Sequence, residues 1–256
     1  MKKIRLFIEE KNLNLDLQIK VFGSDFEYLT KVMRQKIGDE ILVFNGVDGE
    51  FVAKIFALEK KFLHAKIIEK KSDLKKVANI TLAFAPVKNA RIDFIAAKAT
   101  ELGVASFQAI FTNRTIVDKI NFERFKANIK EACEQCERND FPQILPPKKL
   151  IKFLSESEAK NKIFILCDES HGGKKASEVL QKINVNKKSE QKSEEKVEQK
   201  EIVILVGPEG GFCPEEFEKM RALKNIFAIS LGPRILRSDT AIISAITLVQ
   251  EFLGDF

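Results

Sequence analysis

The chain has 256 residues, of which 45% are apolar, so it can bury a real core in one large domain or two smaller ones. Its net charge of +6 is compatible with an anionic partner such as RNA, although lysine-rich surfaces are common in proteins without one. No apolar run approaches the ~18 residues of a membrane span, and the four cysteines do not make a disulfide framework, so we expect a protein of the reducing cytoplasm without a signal peptide.

The first part of the chain has the short apolar runs typical of β-strands, at residues 4–8, 41–44, 51–56 and 62–68. Asn45, Gly46 and Gly49 supply turn residues between the second and third runs. Ser24 and Glu27 have the spacing of a helix capping box. Residues 1–72 are therefore predicted to form a small β-barrel. Its lysines could contact an RNA backbone, although a solvated surface is the simpler explanation.

Residues 70–76 are charged and lack periodicity, so we place a domain boundary there and a second domain at 73–256. Apolar runs then recur at 80–85, 106–111, 163–167, 202–206 and 226–231. Helical patterns at 91–102 and 122–138 lie between some of them. This alternation predicts a mostly parallel α/β sheet covered on both faces.

Two later segments have distinctive composition. Residues 184–200 are rich in Lys, Glu, Ser and Gln, with few apolar side chains, which predicts a solvated insertion or loop. Residues 240–253 form a predicted helix that is apolar nearly all round. Such a helix must be buried, either within the chain or against a second copy of it.

Two glycine turns follow predicted strands, at Gly207-Pro208-Glu209-Gly210-Gly211 and at Leu231-Gly232-Pro233-Arg234. In α/β folds, ligands bind beyond the carboxyl ends of the strands. The first turn lacks the spacing of a Walker or Rossmann phosphate loop. Glu209 and the acidic helix start at Pro214 also disfavour an anion. The pattern indicates a neutral or cationic ligand, with a tight structural connection as the alternative.

Charged residues follow the second turn. Ser238 or Asp239 could cap the last helix. Arg237 could pair with Asp239 or Glu209, or it could hold a phosphate or polarise a base carbonyl. The spacing leaves these alternatives open.

The cysteines and histidines give no metal-ligand pattern. Cys133 and Cys136 share the apolar face of a predicted helix, which favours packing over a zinc or redox site. His64 and His171 show no ligand spacing. We therefore predict no metal.

The runs LVGPEGGF at 205–212 and LGPRILRSDTA at 231–241 resemble the signature of the RsmE family, the SPOUT-class 16S rRNA (uracil-1498-N3)-methyltransferases. Weaker matches lie at residues 28–40, 98–104, 113–115 and 131–138. Cys133 and Cys136 stand where the family has small residues, and the tract at 184–200 looks like an insertion. The signature runs themselves are intact.

The resemblance implies a PUA-like β-barrel followed by a trefoil-knotted, parallel-sheet SPOUT domain, acting as a homodimer. It implies S-adenosyl-L-methionine as cofactor and 16S rRNA of the small ribosomal subunit as substrate, methylated at uracil N3. Another RNA target, or a non-enzymatic RNA-binding assembly role, are the alternatives. The family motif assigns the cofactor cleft to Leu166, Gly207, Pro208, Gly210, Gly211, Leu231, Gly232, Ile235, Leu236, Thr240 and Ala241.

Roles in catalysis are carried over to two charged residues. Arg237 is expected to stabilise charge on a uracil oxygen or to grip a phosphate, and Glu209 is a candidate base with a salt bridge as the alternative. The residues expected to contact RNA are Arg5, Arg34, Lys88, Arg91 and Arg114.

Overall fold

The computed structural model describes residues 3–87, 89–117, 119–158, 162–168, 173–190 and 200–256. The chain divides into two compact units. The first comprises Met1–Lys76 and Lys130–Phe141, and the second comprises Val77–Ile129 and Pro142–Phe256. The segment at 130–141 thus packs with the N-terminal unit, although it lies far from it in sequence.

The first unit is built on a mixed sheet of β1 (Arg5–Phe7), β2 (Gln18–Phe22), β3 (Glu40–Phe44), β4 (Glu50–Leu58) and β5 (Phe62–Ser72). The order is β1-β3-β4-β5-β2, with β1 parallel to β3 and the other pairs antiparallel. Inward side chains from all five strands share one core, so the sheet curls into a half-barrel. The predicted turn between β3 and β4 is confirmed, because the Asn45 side-chain oxygen accepts hydrogen bonds from the backbone N–H groups of Val47 and Asp48.

One local prediction in this unit was wrong, and one strand was missed. Helix α1 (Gly23–Glu27) begins one residue before Ser24 and has no side-chain cap, so the capping box does not form. A π-helical turn, Tyr28–Val32, continues it. The sequence reading also missed β2, where buried Ile19 and Val21 alternate with exposed neighbours.

The second unit contains a seven-stranded sheet of β6 (Ile80–Phe84), β7 (Ser106–Phe111), β8 (Gln143–Lys149), β9 (Lys162–Cys167), β10 (Lys174–Lys175), β11 (Glu201–Val206) and β12 (Ile226–Ser230). The order is β10-β12-β9-β11-β6-β7-β8, and every pair is parallel. The five predicted strands are confirmed. The two missed strands are β8, which contains Pro146 and Pro147, and the two-residue β10.

The remaining helices are α2 (Asn89–Glu101), α3 (Phe122–Cys136), α4 (Leu150–Glu158), α5 (Ala176–Glu190), α6 (Pro214–Arg221) and α7 (Ser238–Leu253). Helix α7 packs against α2, α5 and β11 and buries Ile242, Ala245, Ile246 and Val249. Its predicted burial is therefore confirmed on that face. No helix in the described ranges is both long enough and apolar enough to cross a membrane.

At 184–200 the loop alternative was wrong for the first residues, whereas the insertion stays a prediction. Helix α5 continues to Glu190, so residues 184–190 are helical rather than a loop. The buried residues Leu180 and Ile183 anchor the helix just before this segment, while Val185 is exposed. Residues 191–199 lie outside the described residues.

Arg5 is buried, so the prediction that it contacts RNA was wrong. Its Nε donates to Glu50 Oε1 at 2.6 Å, and its Nη1 donates to the carbonyl oxygen of Cys133 at 2.7 Å. The second bond satisfies a carbonyl group in the last turn of α3, where the helix has no internal donors left. Arg5 therefore anchors segment 130–141 to the N-terminal sheet.

Candidate functional site

A cleft lies beyond the carboxyl ends of β9, β11 and β12, which are neighbours in the parallel sheet. The loops after β11 and β12 are the two glycine turns, so the sheet brings both to one edge. Seven of the residues assigned to the cofactor line this cleft: Gly207, Pro208, Leu231, Gly232, Ile235, Leu236 and Ala241. Glu209 lines it too, whereas Leu166, Gly210, Gly211 and Thr240 do not.

The sequence reading missed six lining residues: Cys167, Asp168, Val206, Phe212, Arg234 and Ser238. Cys167 is the last residue of β9 and Asp168 follows it, and no functional turn was predicted after this strand. Val206 and Phe212 flank the first glycine turn, so adjacency to the motif could have found them. The lining is mixed, with the apolar side chains of Val206 and Phe212 beside the charged residues Asp168, Glu209 and Arg234.

The first glycine turn has a steric reason for its glycines. A Cβ on Gly207 would lie 2.9 Å from the Phe212 ring, closer than side chains pack. Gly211 has a φ of 67°, and its N–H donates to the carbonyl oxygen of Pro208 at 2.9 Å. Helix α6 then begins at Pro214, as predicted.

Glu216 fixes this turn to the loop after β7. Its carboxylate is buried and accepts hydrogen bonds from the backbone N–H of Cys213 and from that of Asn113, each at 2.9 Å. The first of these bonds forms part of a capping box at the start of α6. From the sequence, Glu216 was interpreted only as part of an acidic helix start. In the structure its carboxylate joins two loops.

The second turn leads into α7 through exposed residues. Gly232 has a φ of 112°, which favours glycine, and Ile235 is 84% exposed. Ser238 opens the helix and is buried, yet its hydroxyl has no hydrogen-bond partner among the described residues. Neither Ser238 nor Asp239 caps the helix, so that expectation was wrong. A buried polar atom without a partner at a cleft is a candidate ligand contact.

Two arginines that were expected to bind RNA hold the first glycine turn. Arg91 forms an ion pair with Glu209 and approaches Asp239 at 4.0 Å. Arg114 Nη1 donates to the carbonyl oxygen of Gly210 at 2.8 Å. These contacts favour the salt-bridge alternative for Glu209. A contact of either arginine with RNA stays a prediction.

The other charged candidates are placed as follows. Arg237 is exposed, and its guanidinium forms no hydrogen bond or ion pair within the described ranges. Arg34 is also exposed, in a left-handed backbone conformation with a φ of 54°. Lys88 and His171 lie outside the described residues. Arg237 does not line the cleft itself but stands directly before Ser238.

Cys133 and Cys167 are buried thiols rather than reactive ones. Cys133 is fully buried, and burial raises the pKa of its thiol to about 12. Burial also raises the pKa of the Cys167 thiol, at the edge of the cleft, to about 12. Both thiols are thus protonated at neutral pH, and the part of the chain that the structure describes holds no cluster of potential metal ligands.

Comparison with known proteins identifies the family. The sequence model of the RNA methyltransferase domain matches residues 73–250, and that of the RNA methyltransferase PUA domain matches residues 23–68. The chain belongs to this RNA methyltransferase family. A relative in Buchnera aphidicola (Acyrthosiphon pisum), named ribosomal RNA small subunit methyltransferase E, is 34% identical over all of this chain and 96% of its own length. One of the same name in Rickettsia conorii is 31% identical over 98% of this chain and 96% of its own.

Solved structures of the RNA methyltransferase family share the fold. Ribosomal RNA small subunit methyltransferase E from Neisseria gonorrhoeae, bound to S-adenosylmethionine, superposes with a TM-score of 0.80 at 27% identity, over 100% of both chains. A methyltransferase of Legionella pneumophila with the same cofactor gives 0.82 at 27% identity, again over 100% of both. The predicted fold class, a SPOUT-type parallel-sheet domain with an N-terminal PUA-like unit, is therefore confirmed.

Proposed function

We propose that the chain transfers a methyl group from S-adenosylmethionine to N3 of uracil-1498 in 16S rRNA of the small ribosomal subunit. The observation that carries this proposal is the cleft formed by both glycine turns, which lies in a domain of the RNA methyltransferase family. The relatives in Buchnera and Rickettsia are named for methylation of small-subunit rRNA, which supports the substrate. An rRNA substrate supports the proposal that the enzyme acts in the cytoplasm.

The residues of the cleft fit this cofactor. Val206, Phe212 and Leu236 offer apolar surface for an adenine ring, and the glycines allow close approach of the backbone. Asp168 places an acidic residue in the lining that suits a cationic sulfonium, whereas the charge of Glu209 is paired with Arg91. The unpartnered hydroxyl of Ser238 supplies a hydrogen-bonding group inside it.

Methylation of uracil N3 requires loss of the proton that N3 carries at neutral pH. The cofactor supplies an electrophilic methyl group. The protein must hold the base in line with it and stabilise negative charge on the uracil oxygens as the N3 proton leaves. Arg237 is the candidate for that stabilisation because its guanidinium is exposed and free among the described contacts. Glu209 is already paired with Arg91, which makes it a positioning group in this proposal.

We also propose that the chain acts as a homodimer. Ile243, Leu248 and Phe252 are apolar residues of α7 that stay partly exposed in the single chain. A second copy packed on this helix would cover them. Measurement of the mass in solution tests this part separately.

The function is tested in two steps. Isothermal calorimetry measures binding of S-adenosylmethionine to the intact protein, and absence of binding rejects the proposal. Small subunits from a deletion strain are then incubated with enzyme and cofactor, and mass spectrometry locates the methyl group. Methylation of a different nucleotide would replace the proposed target. RNA binding that is independent of cofactor, without methylation, would favour an assembly factor.

A further inference from the structure

The outer face of the N-terminal half-barrel carries exposed aromatic rings. Phe22 on β2 is 68% exposed and Phe56 on β4 is 44% exposed. The hydrophobic core of this unit lies on the other, inner face of the same sheet. A sheet face that meets only water is normally polar. Exposed large apolar groups that lie together mark a surface that meets a partner.

The rings on this face are neighbours. Strand β5 lies between β2 and β4, and Phe22 is paired with Phe62 in the β2–β5 register. The rings of Phe56 and His64 stack with centroids 5.9 Å apart, and Phe62 meets His64 edge to face at 5.3 Å. Three adjacent strands therefore place aromatic side chains on one face, and those of β4 and β5 are in contact.

Basic side chains are interleaved with the rings. The Lys20 ammonium lies 3.8 Å from the Phe62 ring centroid and has no ion-pair partner in the described parts of the chain. Lys54 is exposed two residues before Phe56 on the same face of β4. We define the aromatic face as Lys20, Phe22, Lys54, Phe56, Phe62 and His64.

We propose that the aromatic face binds an unpaired segment of RNA by stacking bases on its rings, with the lysines contacting the phosphates. The proposal rests on the proposed function, and it names the state of the RNA that the enzyme holds. Flat side chains can stack only on bases that are out of a helix, and exposed sheets of other RNA-binding folds stack two or three bases in this way. Lysine is depleted in protein–protein interfaces, so its place between the rings favours RNA over a protein partner.

The test is fluorescence anisotropy of the intact protein with labelled oligouridine, free and hybridised to oligoadenosine. We expect the single strand to bind more tightly than the duplex. Phe56→Ala should weaken single-strand binding by about tenfold, as expected for loss of one stacked base. Phe22→Ala should act similarly, whereas Phe56→Tyr, which keeps the ring, should bind as the unaltered protein does.

Two control variants separate the aromatic face from general surface effects. Leu15→Ala removes a 56% exposed apolar side chain of the same unit that lies outside the strands, and it should leave binding unchanged. Lys20→Gln should reduce the salt dependence of binding, whereas Lys11→Gln should not. Thermal unfolding verifies that each variant is folded.

Three results would overturn the proposal: unchanged single-strand affinity in Phe56→Ala and Phe22→Ala, equal affinity for the duplex, or a lower mass of these variants in solution with unaltered RNA binding. The last would make the aromatic face a contact between copies of the chain. Calorimetry with S-adenosylmethionine on the same samples keeps the two proposals apart. Cofactor binding by every variant would leave the proposed function standing even where RNA binding by this face fails.

Discussion

The guanidinium of Arg114 is bonded to the carbonyl oxygen of Gly210 across 96 residues of sequence, at 2.8 Å. Arg114 follows β7, and Gly210 belongs to the glycine turn after β11. Together with Glu216, which accepts hydrogen bonds from Asn113 and Cys213, this bond ties the two loops to each other. The glycine turn is therefore held by neighbouring loops as well as by its own bond from Gly211 to Pro208.

Replacement of Arg114 by alanine should loosen the first glycine turn and weaken cofactor binding by roughly threefold to tenfold, the usual effect of losing one hydrogen bond. Calorimetry with S-adenosylmethionine measures the change. Arg221→Ala is the matched control because Arg221 is exposed in the last turn of α6, and it should keep the original affinity. Equal affinities of the two variants would show that the Arg114 bond does not position the turn.

The parallel sheet was predictable because its central strands are buried on both faces and so read as continuous apolar runs. Strand β8 was not predicted because Pro146 and Pro147 interrupt its apolar pattern. Prolines are tolerated there because β8 is an edge strand. The place of segment 130–141 in the first unit depends on the contacts of Arg5 with Glu50 and Cys133. No local pattern encodes contacts over such a separation.

The glycine turns could be found from sequence because their spacing after strands is local. The groups that surround them could not, since Asp168 and Ser238 reach the cleft only when three strands lie side by side. The ion pair between Arg91 and Glu209 likewise could not be predicted from local sequence. It favours a structural role for both residues. The capping role of Glu216 was not predicted, because the residue three positions before it is Cys213 rather than the usual Ser or Thr of a capping box.

Ser238→Ala should separate a ligand-binding hydroxyl from a structural one. Without ligand the Ser238 hydroxyl has no partner among the described residues, so its removal should leave the free energy of unfolding unchanged or raise it. Affinity for S-adenosylmethionine should fall by about fivefold to tenfold if the cofactor satisfies that hydroxyl. Chemical denaturation and calorimetry give the two quantities. Ser238→Thr should retain affinity, and Ser244→Ala, on the same helix outside the cleft, is the control.

A stability loss in Ser238→Ala at unchanged cofactor affinity would identify the hydroxyl as a packing group instead. That outcome would leave the rest of the cleft assignment intact.

Gly207→Ala should destabilise the protein, because the added Cβ would lie 2.9 Å from the Phe212 ring and force that side chain to move. We expect a loss of about 1–3 kcal/mol in the free energy of unfolding, as for other overpacked sites. Gly210→Ala is the matched control in the same turn. Its Cβ would come no nearer than 3.7 Å to Arg114, so the free energy of unfolding should change little. Equal losses would contradict the steric explanation.

Glu134 is expected to make the free energy of unfolding depend on pH. Burial raises the pKa of its carboxyl to about 7, while the N–H of Phe7 donates to it at 2.9 Å. Between the ordinary pKa of a glutamate and pH 7, the folded chain therefore binds more protons at this site than the unfolded chain. The free energy of unfolding should fall as pH rises through that window.

Glu134→Gln keeps an oxygen for Phe7 and removes the charge. It should flatten the pH dependence and stabilise the protein at pH 8 by on the order of 1–3 kcal/mol. Urea denaturation between pH 5 and pH 8 (about the window of the shift) measures this. Glu131→Gln, at an exposed position of the same helix, should keep the original profile. A Glu134→Gln profile that matches the unaltered protein would refute the assignment.

Arg237→Ala tests the proposed chemistry. Arg237 is exposed and does not line the cleft, so the variant should fold and bind S-adenosylmethionine as before. Methylation of small subunits should fall by about 100-fold in kcat if the guanidinium stabilises charge on a uracil oxygen, the usual effect of removing one such donor. If it grips a phosphate instead, KM for the rRNA should rise while kcat is kept. Unchanged turnover and KM would remove Arg237 from the mechanism and leave Arg234, which does line the cleft, as the next guanidinium to examine.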